Sequence, residues 1–209
     1  MDLYAKGLEN CVHLKGCTWT REGSLTSDIL KSLGRCPELS DVTINGQYSW
    51  QYEPMDLTQL LRLSKISLIM PSISVLETLP RWLQVTGRSL TNLALICKAR
   101  LCRMIPWVSY SSVGQEDIHV TDSLLESISQ CLSQLEHLHL AGCRRVTNEG
   151  VWSMIRNNVG NVKELSLESL SPAFASFQIV IFDLVIEADK VSRSRICWRL
   201  VELVRKRTV

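Results

Sequence analysis

LEHLHLAGC, residues 135–143, sets leucines at Leu135, Leu138 and Leu140 and a thiol at Cys143. Alternation of the Leu138-x-Leu140 kind marks a short strand with one face turned inward, because successive strand side chains point to opposite sides. The same frame recurs along the chain. Leu90, Leu93 and Leu95 repeat it, as do Leu63, Ile66 and Leu68, then Leu39, Val42 and Ile44, then Val162, Leu165 and Leu167. A first copy is read over Glu9, Val12, Leu14 and Cys17, with Glu9 in a slot that elsewhere holds an aliphatic residue and Leu8 one residue early. The frames start at 9, 39, 63, 90, 135 and 162, at spacings of 30, 24, 27, 45 and 27 residues. A single such layer exposes its own apolar face, and stacking neighbours is what buries it.

The segments between frames carry helical spacing. Ile29, Leu30 and Leu33 share a face over Ser27 to Leu33, and Val75, Leu76, Leu79 and Leu83 share one after Pro71 and Ser72. Thr121 or Asp122 is placed to cap a helix bearing Leu124, Leu125 and Ile128, with Glu126 near the reciprocal capping position. Thr147 is placed to cap Glu149 to Arg156, with Val151, Trp152 and Ile155 inward. Composition agrees with thin aliphatic layers. The 209 residues are 45% apolar but only 6% aromatic, so Leu, Ile and Val must supply the core. That apolar fraction excludes a disordered chain. The formal charge of +2 offers no global electrostatic case for nucleic acid.

The stretch VTDSLLESISQCLSQLEHLHLAGCRRVTNEGV, from Val120 to Val151, resembles the cysteine-containing subclass of leucine-rich repeats. Cys143, Val146, Thr147, Asn148, Gly150 and Val151 fill consecutive slots of its pattern, and Cys131 and Cys36 sit near helix ends ahead of the next frame. The clear match covers Val120 to Leu170 and a looser one Leu8 to Cys97. This subclass is found mostly in F-box proteins, the fungal ones among them, which present substrates to a cullin-RING ubiquitin ligase. The resemblance implies an α/β fold: a curved leucine-rich-repeat solenoid with parallel strands on the concave face and helices on the convex face. It also implies substrate recognition within an SCF-type ligase pathway. No F-box is visible before the first repeat, so the adaptor contacts of the family have no counterpart residues here. A stand-alone repeat scaffold or regulatory binding protein, and a truncated fragment, are the alternatives.

The array is expected to span residues 1–174 as about six irregular repeats. An insertion at 99–119, holding Pro106, Trp107 and Gly114, explains the 45-residue spacing, and 175–209 is a segment without the repeat. Within it, Lys190 to Val209 carries seven Lys or Arg against Glu202 alone, a net of +6 that leaves −4 on the remainder. Ile196, Leu200, Leu203 and Val204 form a stripe there. A helix capping the last apolar layer is the expectation, ahead of a basic helix lying on a membrane or on nucleic acid. The start lacks the apolar region of a secretory signal, and Phe174 to Ile186 is too short to span a bilayer. A cytoplasmic or nuclear protein with reduced thiols follows as an expectation.

The strand positions that alternate with the aliphatic slots face outward, and there a partner protein is expected to bind. They are Asp41, Thr43 and Asn45, then Lys65, Ser67 and Ile69, then Asn92 and Ile96, then His137 and His139, then Glu164, Ser166 and Glu168. His137 and His139 alternate with Leu138 and Leu140, whereas Cys143 should turn inward, so no third metal ligand joins the histidines on their face. Cys17 and Cys143 are assigned to the buried turn slot. No CxxC pair, nucleophile elbow, P-loop or glycine-rich dinucleotide turn is present, and Asp117 with His119 is too little for acid–base chemistry. No enzyme activity, cofactor or metal is expected.

Overall fold

The computed structural model describes residues 3–21, 23–46, 51–97, 119–168 and 170. Six strands form one sheet in chain order: β1 (Gly16–Trp19), β2 (Asp41–Asn45), β3 (Lys65–Ile69), β4 (Asn92–Ile96), β5 (His137–Ala141) and β6 (Glu164–Glu168). Every neighbouring pair is parallel, so the protein is α/β with an all-parallel sheet. Parallel neighbours cannot be joined by a tight hairpin, and each connection must travel back outside the sheet. Those returns carry α2 (Ser27–Gly34), a 3-10 helix (Pro54–Gln59), α3 (Ile73–Thr86), α4 (Asp122–Ser129) and α5 (Asn148–Arg156), while α1 (Leu3–Glu9) precedes β1. Each helical segment packs on the next in chain order, from α1 through to α5.

The register aligns the aliphatic slots. Val42, Ile66, Leu93, Leu138 and Leu165 pair in one row, and Ile44, Leu68, Leu95, Leu140 and Leu167 in another. Both rows join a single core with the inner faces of the helices. Ile29, Leu30 and Leu33 of α2 and Val75, Leu76, Leu79 and Leu83 of α3 are buried there, as their spacing predicts. Trp82 joins them, its indole N–H donating to the Leu60 carbonyl at 3.2 Å. In α5 the inward pair is Val151 and Met154, while Trp152 and Ile155, predicted inward, are half-buried. The Thr caps form at both predicted sites, and a third is present at Thr26. Thr26 accepts from the Ile29 N–H, Thr121 from Leu124, and Thr147 from Glu149.

The first frame is displaced from its predicted position. Cys17 pairs with Val42 and Trp19 with Ile44, so the frame starts at Leu14, five residues later than the reading from Glu9. Val12, which that reading turned inward, is 53% exposed. Cys17 therefore occupies a strand slot, and the turn-slot assignment it shared with Cys143 is corrected. A thiol imitates either slot because it is a small, weakly polar residue; Trp19, filling a place held elsewhere by Ile or Leu, hid the true register.

A second ladder runs along the start of the strands. The Lys15 carbonyl accepts from the N–H groups of Ser40 and Asp41, that of Ser40 from Ser64 and Lys65, and that of Ser64 from Thr91 and Asn92. Thr91 and Glu136 continue the series. The predicted insertion at 99–119, apart from His119, and the helix expected within 175–209 lie outside the described residues. Among the described residues no helix is long and apolar enough to cross a membrane.

Candidate interaction face and interlayer contacts

Parallel register converts the outward positions of five strands into three rows. The first holds Asp41, Lys65, Asn92, His137 and Glu164; the second Thr43, Ser67, Ala94, His139 and Ser166; the third Asn45, Ile69, Ile96, Ala141 and Glu168. All thirteen residues named from sequence fall in these rows, on the side of the sheet away from the common core. Three are buried instead of exposed. Asn45 turns its amide to the Thr20 carbonyl at 3.1 Å. Ser67 is a short side chain between Thr43 and Ala94, and Ile69 is flanked by Asn45 and Ile96, at a strand spacing of about 4.8 Å that leaves little room for solvent.

The face is chemically uneven along the sheet. At β2–β3 the Lys65 ammonium lies 3.0 Å from the Asp41 carboxylate, a self-neutralised exposed pair. Toward β5–β6 imidazoles and carboxylates interleave. His137 has Nδ1 at 3.1 Å from Glu164 and Nε2 at 3.8 Å from Glu136, and the Lys163 ammonium holds Glu136 at 2.7 Å. His139 Nε2 is 3.7 Å from Glu168. Among the described residues no set of three His, Cys, Asp or Glu side chains is placed to hold a metal ion.

The motif residues lie elsewhere, between layers. The Asp122 carboxylate accepts from the Thr147 backbone N–H at 2.7 Å and from its hydroxyl at 2.6 Å, tying the start of α4 to the start of α5. Asp122, a candidate cap by sequence, thus serves the next layer while Thr121 caps its own helix. Gly150 is what lets the two helices approach. A Cβ there would stand 2.3 Å from the Asp122 carboxylate oxygen and 2.9 Å from its Cα. Cys143 is fully buried, its thiol directed at the Leu95 carbonyl at 3.6 Å. Burial pushes the Cys17, Cys36 and Cys131 thiols up, with neighbouring thiols adding to the shift at Cys17 and Cys36. A nucleophilic thiolate needs the opposite.

Some interlayer residues escape a reading by apolar periodicity. Ser40, Ser64 and Thr91, each just before a strand, donate hydroxyl bonds of 3.1–3.2 Å to the Lys15, Ser40 and Ser64 carbonyls of the preceding layer. Their signal was a hydroxyl recurring one residue after the frame start. Asn158 is buried, its side-chain oxygen accepting from the Leu135 N–H at 3.0 Å and its amide donating to the Met154 carbonyl. Compared with known proteins, the chain matches no family model and no curated protein.

Proposed function

We propose that this chain is a leucine-rich-repeat solenoid of the cysteine-containing type, and that the outward strand face recognises a protein partner as the substrate-recognition array of a cullin-RING ubiquitin ligase. The observation that carries partner recognition is the in-register set of outward side chains, whose chemistry changes from the Asp41–Lys65 pair to the His137, His139, Glu164 and Glu168 group. A rigid surface of this kind binds without a large ordering cost, and its uneven chemistry suits one partner better than a repeating polymer. Support for the repeat class comes from the layered register and from the motif residues Cys143, Thr147 and Gly150, each engaged between layers. The ligase role rests on the resemblance of that motif to F-box repeat proteins.

The test is quantitative capture from cells with the intact chain and with a Lys65→Glu, Glu164→Lys, Glu168→Lys variant whose unfolding transition matches the parent. Loss of a specific partner in the variant supports the face. Unchanged capture removes it as the site. Cullin-ligase subunits in the same capture, with a longer partner half-life after depletion of the protein, support the ligase role. A stable partner whose half-life does not change points to a scaffold instead.

A further inference from the structure

Two buried thiols meet where β4 and β5 end. Cys97 directly follows β4, and its backbone N–H donates to the Ala141 carbonyl at 2.7 Å, which fixes it beside the last residue of β5. Gly142 then takes a positive φ of 73°, a conformation that suits glycine, and the chain turns there just before Cys143. The Cys143 sulfur lies 3.6 Å from the Cys97 sulfur. Cys97 is 6% exposed and Cys143 0%, and no disulfide joins them. The two positions are 46 residues apart in the chain, across the longest connection between consecutive strands.

We propose that Cys97 and Cys143 form a reversible, oxidation-dependent staple between β4 and β5. The sulfurs already touch, and a bond requires them to close by about 1.5 Å, since a disulfide measures about 2.05 Å. The oxidant is a small peroxide. The Cys97 sulfur, the more accessible of the two, attacks a peroxide oxygen; the O–O bond breaks, the departing hydroxide takes the thiol's proton and leaves as water, and a sulfenic acid remains. The Cys143 sulfur then attacks the sulfenic sulfur, the S–O bond breaks, and a second water leaves. In sum two thiols and one hydrogen peroxide give one disulfide and two waters, with two electrons passing from the sulfurs to the peroxide. A dithiol reverses the bond by exchange. Burial sets the rate, because the pair reacts only with an oxidant small enough to enter or during local opening. The product ties β4 to β5 covalently, fixes the alignment of Asn92 with His137 and of Ile96 with Ala141, and removes entropy from the unfolded chain. None of this depends on what the outward face binds.

The experiment treats the intact chain with hydrogen peroxide under native conditions, blocks remaining thiols, and reads intact mass, peptide map and thermal unfolding. The expected result is a monomer lighter by about 2 Da before blocking, a single cross-linked peptide joining Cys97 to Cys143, and a Tm raised by roughly 5–10 °C. Dithiothreitol should return all three to their starting values. Cys97→Ala and Cys143→Ala should each abolish the cross-link; Cys97→Ala is decisive if the more deeply buried Cys143 does not tolerate replacement. Another disulfide in its place, a disulfide-linked dimer, irreversible sulfinic acid at either position, or two thiols still fully blockable after peroxide treatment would each overturn the proposal.

Discussion

β1 and β5 occupy equivalent places in two layers of the sheet, with three strands between them, and are held by different chemistry. The inward slots of β1 hold Cys17 and Trp19, both half-buried, and the Tyr4 ring of α1 meets Trp19 edge-on at 6.1 Å. β5 has Leu138 and Leu140 sealed in the core; the helices on either side of it meet through Asp122, Thr147 and Gly150, and Asn158 accepts from the Leu135 N–H in the segment leading into the strand. An apolar slot at the sheet edge asks mainly for apolar area, so a thiol and an indole serve, the indole N–H donating to the Ser24 hydroxyl at 2.8 Å. An interlayer hydrogen bond asks for one atom at one place, which ties residue identity to position. Leu140→Ala is therefore expected to cost about 2–5 kcal/mol, as a fully buried leucine among packed neighbours does. Trp19→Ala should cost less than half as much despite the larger truncation. Chemical denaturation of both variants reads the difference, and equal losses would break the contrast.

The interlayer contact gives the next largest effect. Gly150→Ala forces a methyl group against Asp122 and is expected to destabilise by about 1–3 kcal/mol. Asp122→Ala should cost a similar about 1–3 kcal/mol by stripping Thr147 of its acceptor. Because truncating Asp122 also opens space for the new methyl, the double variant should lose less than the two single losses added, by at least about 0.5 kcal/mol. Strict additivity in that cycle would mean that the Asp122 carboxylate is not what limits the space at Gly150, leaving the Asp122 Cα as the group the glycine clears.

This division explains how far the sequence could be read. Strand frames from Leu39 onward, the helix faces of α2 and α3 and the caps at Thr121 and Thr147 were legible because periodicity and capping are local signals. All thirteen outward candidates fell into three rows for the same reason, since the side-chain period of two fixes the face once the aliphatic slots are known. The first frame was misplaced because Trp19 and Cys17 do not look like leucine slots, and only pairing with Val42 and Ile44 reveals them. The region between β2 and β3 gave no helical stripe and holds a 3-10 helix. Burial of Ser67 and Ile69 was not legible either, for it depends on which side chains the neighbouring strands bring alongside.

The buried thiols sharpen the contrast through pH. Cys17, Cys36 and Cys131 hold their protons more tightly folded than an unfolded cysteine does at about 8.5. Their contribution to stability is complete below that value and falls as pH rises through it toward the folded values, because the unfolded chain releases the protons first. Urea unfolding between neutral and alkaline pH should show this decline, and replacing the three by serine should flatten it. Two of the three belong to the β1 side, so Cys17→Ser with Cys36→Ser should remove more of the slope than Cys131→Ser alone. The reverse order would place the alkaline sensitivity near α4 instead.

The smallest effects lie on the outward face, where the two ends of the sheet offer ion pairs of different kinds. Lys65 and Asp41 are both partly exposed at 3.0 Å, so solvent and side-chain entropy offset most of their attraction. A double-mutant cycle through Lys65→Ala and Asp41→Ala is expected to return about 0.2–1 kcal/mol, and near zero in 1 M salt. The His137–Glu164 pair, at 3.1 Å, is charged on both sides only when the imidazole is protonated. A cycle through His137→Ala and Glu164→Ala should therefore lose less of its coupling in 1 M salt than the Lys65–Asp41 cycle does, because the hydrogen bond between imidazole and carboxylate does not need charge on both partners. Parallel behaviour of the two cycles would show that the face is electrostatically uniform after all. Different behaviour would give a partner docked over β5–β6 a weaker salt dependence than one docked over β2–β3.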